Sequence, residues 1–208
     1  MSVLQCGRFR LDLSQPRVMA IINLTDDSFS GDGLRDDLAR ALARAERALE
    51  EGAEMLDIGA ESTRPGSDPV PEAQELERVV RFVEAARGWK VPLSIDTLKP
   101  TVMRAALAAG ADMINDINAF RASGAIEAVA AGESGLCVMH MLGQPRTMQQ
   151  DPRYADVVGE VTGFLDERVA ALVAAGVARE RIVLDPGFGF GKSVGHNYAL
   201  LRELARVG

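Results

Sequence analysis

Short apolar runs recur along the chain, and each is followed by a loop and then a longer stretch whose apolar positions repeat at helical spacing. The runs are Val18 to Ile22, Met55 to Ile58, Val91 to Ile95, Met113 to Ile117, Leu136 to Met139 and Ile182 to Leu184. Between them, Leu38, Leu42, Ala45 and Leu49 share one helical face, as do Leu76, Val79, Val80 and Val83. Pro71 and Pro100 stand where a first-turn proline opens a helix, and Gly52, Gly110 and Gly176 stand where a left-handed residue closes one. Ahead of the first unit, Leu4 to Leu13 alternates weakly around Gly7, which predicts a short hairpin closing the bottom of a barrel. Strands that alternate with helices require crossover connections and hence a parallel sheet. The expected class is therefore α/β, a (β/α)8 TIM barrel with an N-terminal β-hairpin, of which about six βα units are present.

Each run ends in a polar or ionisable residue: Asn23, Asp57, Asp96, Asn115 with Asp116, His140 and Asp185. Strands buried on both faces read as nearly continuous apolar runs, so a polar group at every carboxyl end needs a reason. In (β/α) barrels that end carries the chemistry. Helix capping and turn formation account equally well for any one Asp or Asn taken singly. A converging set containing Asp96, Asn115 and Asp185 would offer carboxylate and amide acceptors to a ligand edge rich in N–H donors.

Composition narrows the field. The chain has 208 residues, 47% hydrophobic and 25% charged, enough for one domain over 1–208 with a sizeable core, although an eight-unit barrel usually takes about 250. No stretch reaches the roughly 20 apolar residues of a spanning helix, and no signal core follows a basic N-terminus, so a cytoplasmic location is expected. The net charge of −7 argues against a general nucleic-acid surface. Cys6 and Cys137 are far apart and are expected to be buried or idle thiols.

Two loops carry further candidates. Glu61-Ser62-Thr63-Arg64-Pro65-Gly66 sets an arginine beside hydroxyls, which suits bidentate phosphate binding as readily as a solvated loop. Asp185-Pro186-Gly187-Phe188-Gly189-Phe190-Gly191-Lys192-Ser193 looks like a phosphate loop but has Pro186 where a Walker motif needs glycine and Lys192 where the dinucleotide fingerprint needs one. Cys137 and His140, three apart on a strand, point to opposite faces, so a zinc site is not expected and His140 is expected to be structural. Met139, Met141 and Met148 are expected to pack together.

These residues closely resemble the dihydropteroate synthase family, the target of sulfonamide drugs. The matching segments are Ile22 to Ser30, Glu61 to Gly66, Ser94-Ile95-Asp96-Thr97 with Lys99-Pro100, Asn115-Asp116-Ile117, Met139-His140-Met141 with Gly143 and Pro145, and Asp185 to Lys192. The resemblance implies a transferase that joins 4-aminobenzoate to 6-hydroxymethyl-7,8-dihydropterin diphosphate, giving 7,8-dihydropteroate and diphosphate. It implies that Asp96, Asn115 and Asp185 hold the pterin edge, with Ile117 and Met139 lining the ring. Asn23 would bind Mg²⁺, Thr63 and Arg64 would meet diphosphate and aminobenzoate, and Phe29, Pro65 and Phe190 would border the aminobenzoate site. The reaction it implies begins with early loss of diphosphate and needs no enzyme nucleophile. Family members are usually homodimers through helices near the C-terminus.

Two departures stand out. In the first loop Asp26 replaces the family's proline, and Gly31-Asp32 inverts its Asp-Gly order. The family also continues through two further strand and helix units, with Ser-Arg-Lys and Arg-x-His segments that this sequence lacks, so an incomplete barrel is expected. Two other readings are a pterin-binding methyltransferase-type barrel, and a pterin-binding fragment without catalysis.

Overall fold

In the computed structural model, residues 3–24, 34–61, 69–145 and 147–207 are described, with the side chains of 34–37 left aside. Strands β1 (Val3–Cys6) and β2 (Phe9–Asp12) form an antiparallel hairpin, Cys6 opposite Phe9, around Gly7. Six parallel strands follow in one sheet, in chain order: β3 (Met19–Asn23), β4 (Met55–Gly59), β5 (Leu93–Asp96), β6 (Met113–Asp116), β7 (Gly135–Met139) and β8 (Ile182–Asp185). The intervening helices are α1 (Leu34–Glu50), α2 (Glu72–Ala86), α3 (Pro100–Ala109), α4 (Ala125–Val129) and α5 (Val157–Ala174), and α6 (Val194–Arg202) follows β8. Every expected strand is found within two residues of its predicted bounds.

The helix signals act as their chemistry dictates. Pro100 opens α3 as its first residue, and Gly110 closes it at φ 116°, a left-handed conformation that costs a side-chain-bearing residue about 1 kcal/mol. Pro71 sits one residue earlier than expected, ahead of the first turn of α2, where its extended ψ of 134° turns the chain into the helix. Asp156 caps α5 by accepting from the Gly159 N–H, and Ser193 and His196 form a reciprocal capping box on α6.

The sheet has two faces with different jobs. Ile22, Leu56, Ile58, Leu93, Ile95, Ile114, Leu136 and Val138 point outward and pack under the helices in one apolar core with Val79, Phe82, Val83, Met103, Phe120 and Leu165. Facing inward at the amino-terminal end of the strands, Met55, Met113 and Cys137 pack with Leu4 and Cys6 of the hairpin. The hairpin thus closes the bottom, as its alternation predicts, and Asp112 clamps it there. That carboxylate is 1% exposed and accepts from the Arg8 N–H (3.1 Å), Nε (2.9 Å) and Nη2 (2.8 Å) and from the Leu93 N–H (3.0 Å). Cys6 and Cys137 are both buried free thiols.

The sheet is open among the described residues, with β3 and β8 at its edges. At the β3 edge Ile21 is 66% exposed, whereas outward-facing Ile22 is buried. No helix among the described residues is long and apolar enough to cross a membrane.

Candidate active site

The parallel register lines up Asn23, Gly59, Asp96, Asn115 and Cys137 across five strands, and sets Asp185 beside Met139. Because strand side chains alternate, this rank and the residues two positions earlier all face the sheet interior. Asp57 and Ser94, paired one step below, belong to the same face. The carboxyl end of the sheet therefore gathers Asp57, Asp96, Asn115 and Asp185 above an apolar floor. Over them Ile117, Met139, Met141 and Met148 form a small apolar cluster with Leu98 and Phe190 packed against it.

This concentration of acid is electrostatically unfavourable. Burial, then the neighbouring charges of Asp57, Asp116, Glu75 and Glu61, hold the Asp96 carboxyl well above its ordinary range. Burial also raises Asp57, only partly offset by the hydrogen bond from Asn115, and the charge of Asp185 adds to the rise. Asp185 is raised by burial against the opposing pull of the Gly187 N–H and of Lys192. Three buried polar atoms here have no hydrogen-bond partner among the described residues: Asp57 Oδ1, Ser94 Oγ and Asn115 Oδ1. Unpaired buried polar groups each cost on the order of 1–3 kcal/mol, so they signal a site built for something else to complete.

The cations nearby are engaged elsewhere. Lys192 is 3% exposed and bonds His140 Nδ1 at 2.9 Å, the Phe190 carbonyl at 3.0 Å and the His140 carbonyl at 3.3 Å. Burial and this lysine's charge lower His140 to about 4, leaving a neutral ring able to accept from Nζ; burial lowers Lys192 to about 8. The lysine fastens the glycine-rich loop to the end of β7. Gly187 makes that approach possible, since at φ 68° an added Cβ would lie 2.0 Å from the His140 carbonyl oxygen.

Lys99 bonds the carboxylates of Glu61 and Glu75 and the Val70 carbonyl, and Thr97 donates to Glu75. Burial works against its charge, but the two carboxylates outweigh it and the lysine pKa rises. It thereby ties together Glu61 and Val70, the residues flanking the segment that holds Thr63, Arg64 and Pro65.

Residues 19–207 match the family described as pterin binding enzyme. The chain is 50% identical over 210 residues to the dihydropteroate synthase of Neisseria meningitidis serogroup B, an alignment covering 99% of this chain and 74% of that protein. The chain belongs to the dihydropteroate synthase family.

The solved dihydropteroate synthases show the same architecture. The Burkholderia cenocepacia structure, complexed with 7,8-dihydropteroate, aligns with a TM-score of 0.89 at 60% identity, covering 99% of this chain and 71% of that one. A Xanthomonas albilineans structure with 4-aminobenzoic acid aligns with a TM-score of 0.90 at 48% identity, covering 99% and 74%. The α/β fold of a dihydropteroate synthase TIM barrel is thus present through six of its strand and helix units.

Of the site residues that the family resemblance nominated, Asp96, Asn115, Asp185, Ile117 and Met139 converge on this one face, with Phe190 against the apolar cluster and Asn23 at its β3 margin. Phe29, Thr63, Arg64 and Pro65 lie outside the described residues, as do Asp26, Gly31 and Asp32. The ring of polar strand ends divides. Asp116 is turned to the outward face, where it is 0% exposed and accepts from the N–H groups of Asn118 and Phe120, both at 2.7 Å. Burial raises it to about 6 despite those bonds. His140 is structural, as expected. The alternation of strand side chains separates Asn115 from its neighbour Asp116, and on β4 it turns Asp57 inward.

Three residues carry more weight than the sequence suggested. Lys192 and Lys99 find their partners 52, 38 and 24 residues away, beyond any local pattern. Glu75, however, occupies the buried stripe of α2 with Val79, Phe82, Val83 and Ala86, and an acid on an apolar stripe demands a buried cation.

Proposed function

We propose that this protein condenses 6-hydroxymethyl-7,8-dihydropterin diphosphate with 4-aminobenzoate, releasing diphosphate, and that the inward polar ends of β5, β6 and β8 hold the pterin. The observation that carries this is the inward group of half-buried Asp96, Asn115 and Asp185 above buried Asp57, with raised carboxyl pKa values and three unpartnered atoms at Asp57, Ser94 and Asn115. A flat heterocycle edge with several N–H donors would satisfy Asp96, Asn115 and Asp185 together. The Burkholderia cenocepacia relative, which is known in complex with 7,8-dihydropteroate, supports the same ligand class.

In this reading Asp96, Asn115 and Asp185 accept from the pterin edge while Ile117 and Met139 cover its faces. The carbon–oxygen bond to diphosphate breaks with its electron pair leaving on oxygen. The aromatic amine lone pair forms the new carbon–nitrogen bond, and the amine gives up one proton. Such a displacement needs a placed acceptor and a stabilised leaving group, with no protein nucleophile. Thr63 and Arg64 would contact the diphosphate and the incoming aminobenzoate, with Phe29, Pro65 and Phe190 bordering the latter.

Among the described residues no three His, Cys, Asp or Glu side chains gather as a metal-binding cluster. Asn23, half-buried at the rim, offers one hard amide oxygen, which fits a cation that takes most of its ligands from phosphate and water. Asn23 would hold Mg²⁺, which when bound would screen the charge of the diphosphate. The reading places the enzyme in the cytoplasm as one domain over 1–208, acting on small molecules and not on nucleic acid, and as a homodimer.

Incubating the protein with the pterin diphosphate, Mg²⁺ and labelled 4-aminobenzoate should give labelled dihydropteroate. Retained pterin binding without product would replace catalysis by a binding role, and absence of pterin binding would remove the site assignment. Arg64→Ala should weaken retention of the diphosphate substrate; unchanged affinity and turnover would return Arg64 to a solvated loop position.

A further inference from the structure

Asp57 lies beneath the residues assigned to the pterin, 4% exposed, with one oxygen bonded to Asn115 Nδ2 at 3.0 Å and the other unpartnered among the described residues. The bond joins β4 to β6 across the intervening β5. Interior layers of a barrel are filled from alternate strands, and here Ser94, the Asp57 partner in register on β5, is small enough to let the two side chains meet over it. Ser94 is itself fully buried, so a larger residue there would stand in the way of the bond.

The chemistry of the pair is directional. An amide presents a nitrogen with two donors on one side and an acceptor oxygen on the other, and nothing in its shape distinguishes them. An ionised carboxylate only accepts. Asp57 therefore pairs with the amide nitrogen, and rotating the Asn115 amide by half a turn would set oxygen against oxygen at hydrogen-bond distance. With one N–H spent on Asp57, Asn115 retains its second N–H and Oδ1, and Oδ1 has no partner among the described residues.

We propose that Asp57 is a positioning residue for pterin recognition: its bond to Asn115 Nδ2 sets which way that amide faces and hence the donor and acceptor Asn115 presents to the ligand. The inference rests on the reading of this site as the pterin site. Asp57 acts through Asn115, so its removal matters only while Asn115 is there to be oriented.

A double-mutant cycle tests this by measuring the affinity of the purified protein for 6-hydroxymethyl-7,8-dihydropterin by calorimetry, with thermal unfolding of every variant recorded alongside. Asp57→Asn lets the pair bond in either sense, and should weaken pterin binding roughly 10-fold in the wild-type background, the scale of one hydrogen bond to a charged group. In an Asn115→Ala background the same change should cost less than about 2-fold, because no amide remains to be turned. Should Asp57→Asn fold poorly, Asp57→Ser, smaller and without charge, carries the same expectation of non-additive losses. Equal losses in the two backgrounds would overturn the inference, since Asp57 would then act directly on the pterin, through Asp185, or through general stability. Unchanged affinity in Asp57→Asn would overturn it as well. A wild-type protein that binds no pterin would overturn the site reading and this inference together, whereas binding with additive losses overturns this inference alone.

Discussion

The floor and the mouth of the sheet interior lie on the same strands, two residues apart, yet they obey opposite rules. Met55, Met113 and Val183 line the floor; two positions later stand Asp57, Asn115 and Asp185. On β7 the same step, Cys137 to Met139, stays apolar. The floor is stabilised by burial at about 25 cal/mol per Å² of apolar surface, and the buried acid beside it, Asp112, has both oxygens engaged by Arg8 and Leu93. The mouth gathers acids whose charges repel and leaves three buried polar atoms unpartnered among the described residues. A difference of this kind on one face marks where stability has been given up for recognition.

The comparison breaks most readily at Asp112. Asp112→Ala removes the acceptor for the Leu93 and Arg8 N–H groups and for the Arg8 guanidinium, and should destabilise the fold by on the order of 3 kcal/mol. Urea unfolding measures the loss, and pterin affinity of the folded protein should stay as it was. A loss under about 1 kcal/mol would mean that the clamp is not what seats the hairpin.

The mouth should respond in the opposite sense. Asp185→Asn keeps an oxygen for the Gly187 N–H but gives up a charged acceptor, and should weaken pterin binding by about 1.5–3 kcal/mol. Stability should hold or rise, because a raised carboxyl pKa records a charge that folding disfavours. Calorimetric titration beside urea unfolding separates the two quantities. Unchanged pterin affinity would take Asp185 out of the site.

Much of this division was legible beforehand. The strands follow from their apolar runs because parallel strands are buried on both faces, and the three pterin-edge candidates end strands where barrel chemistry sits. What periodicity alone could not settle is which of two adjacent polar residues turns inward. Asn115 and Asp116 are alike to periodicity, and it is the packing of α3 and α4 with Ile114 on the outward face of β6 that makes Asp116 a buried loop cap and Asn115 a site residue. Asp57 was visible as a strand end, but its bond to Asn115 spans 58 residues and depends on Ser94 being small. The lysine anchors were hidden for the same reason, although Glu75 on the stripe of α2 was a local sign that one existed.

The smallest expected effect concerns Asp96, and it tests the cause assigned to the mouth. Its folded carboxyl holds a proton to higher pH than the unfolded chain does, where an aspartate titrates near about 4. The folded state thus binds more protons, so this group's contribution to stability is most favourable below about pH 4 and declines as pH rises through the window up to its raised folded value. Asp96→Asn carries no proton to lose. Its stability relative to the wild type should therefore be nearly level below about pH 4 and should grow with pH to a gain of ~1 kcal/mol near neutrality, a figure kept small because the side chain is only half-buried. His140 and Lys192 titrate in both proteins and cancel in the difference. Urea unfolding of both proteins between pH 4 and 7.5 gives that difference directly. A gain that is flat with pH would assign it to packing, and a loss that deepens with pH would mean the Asp96 charge is favoured by the fold, in which case the mouth is a paired acid network and no longer the opposite of the floor.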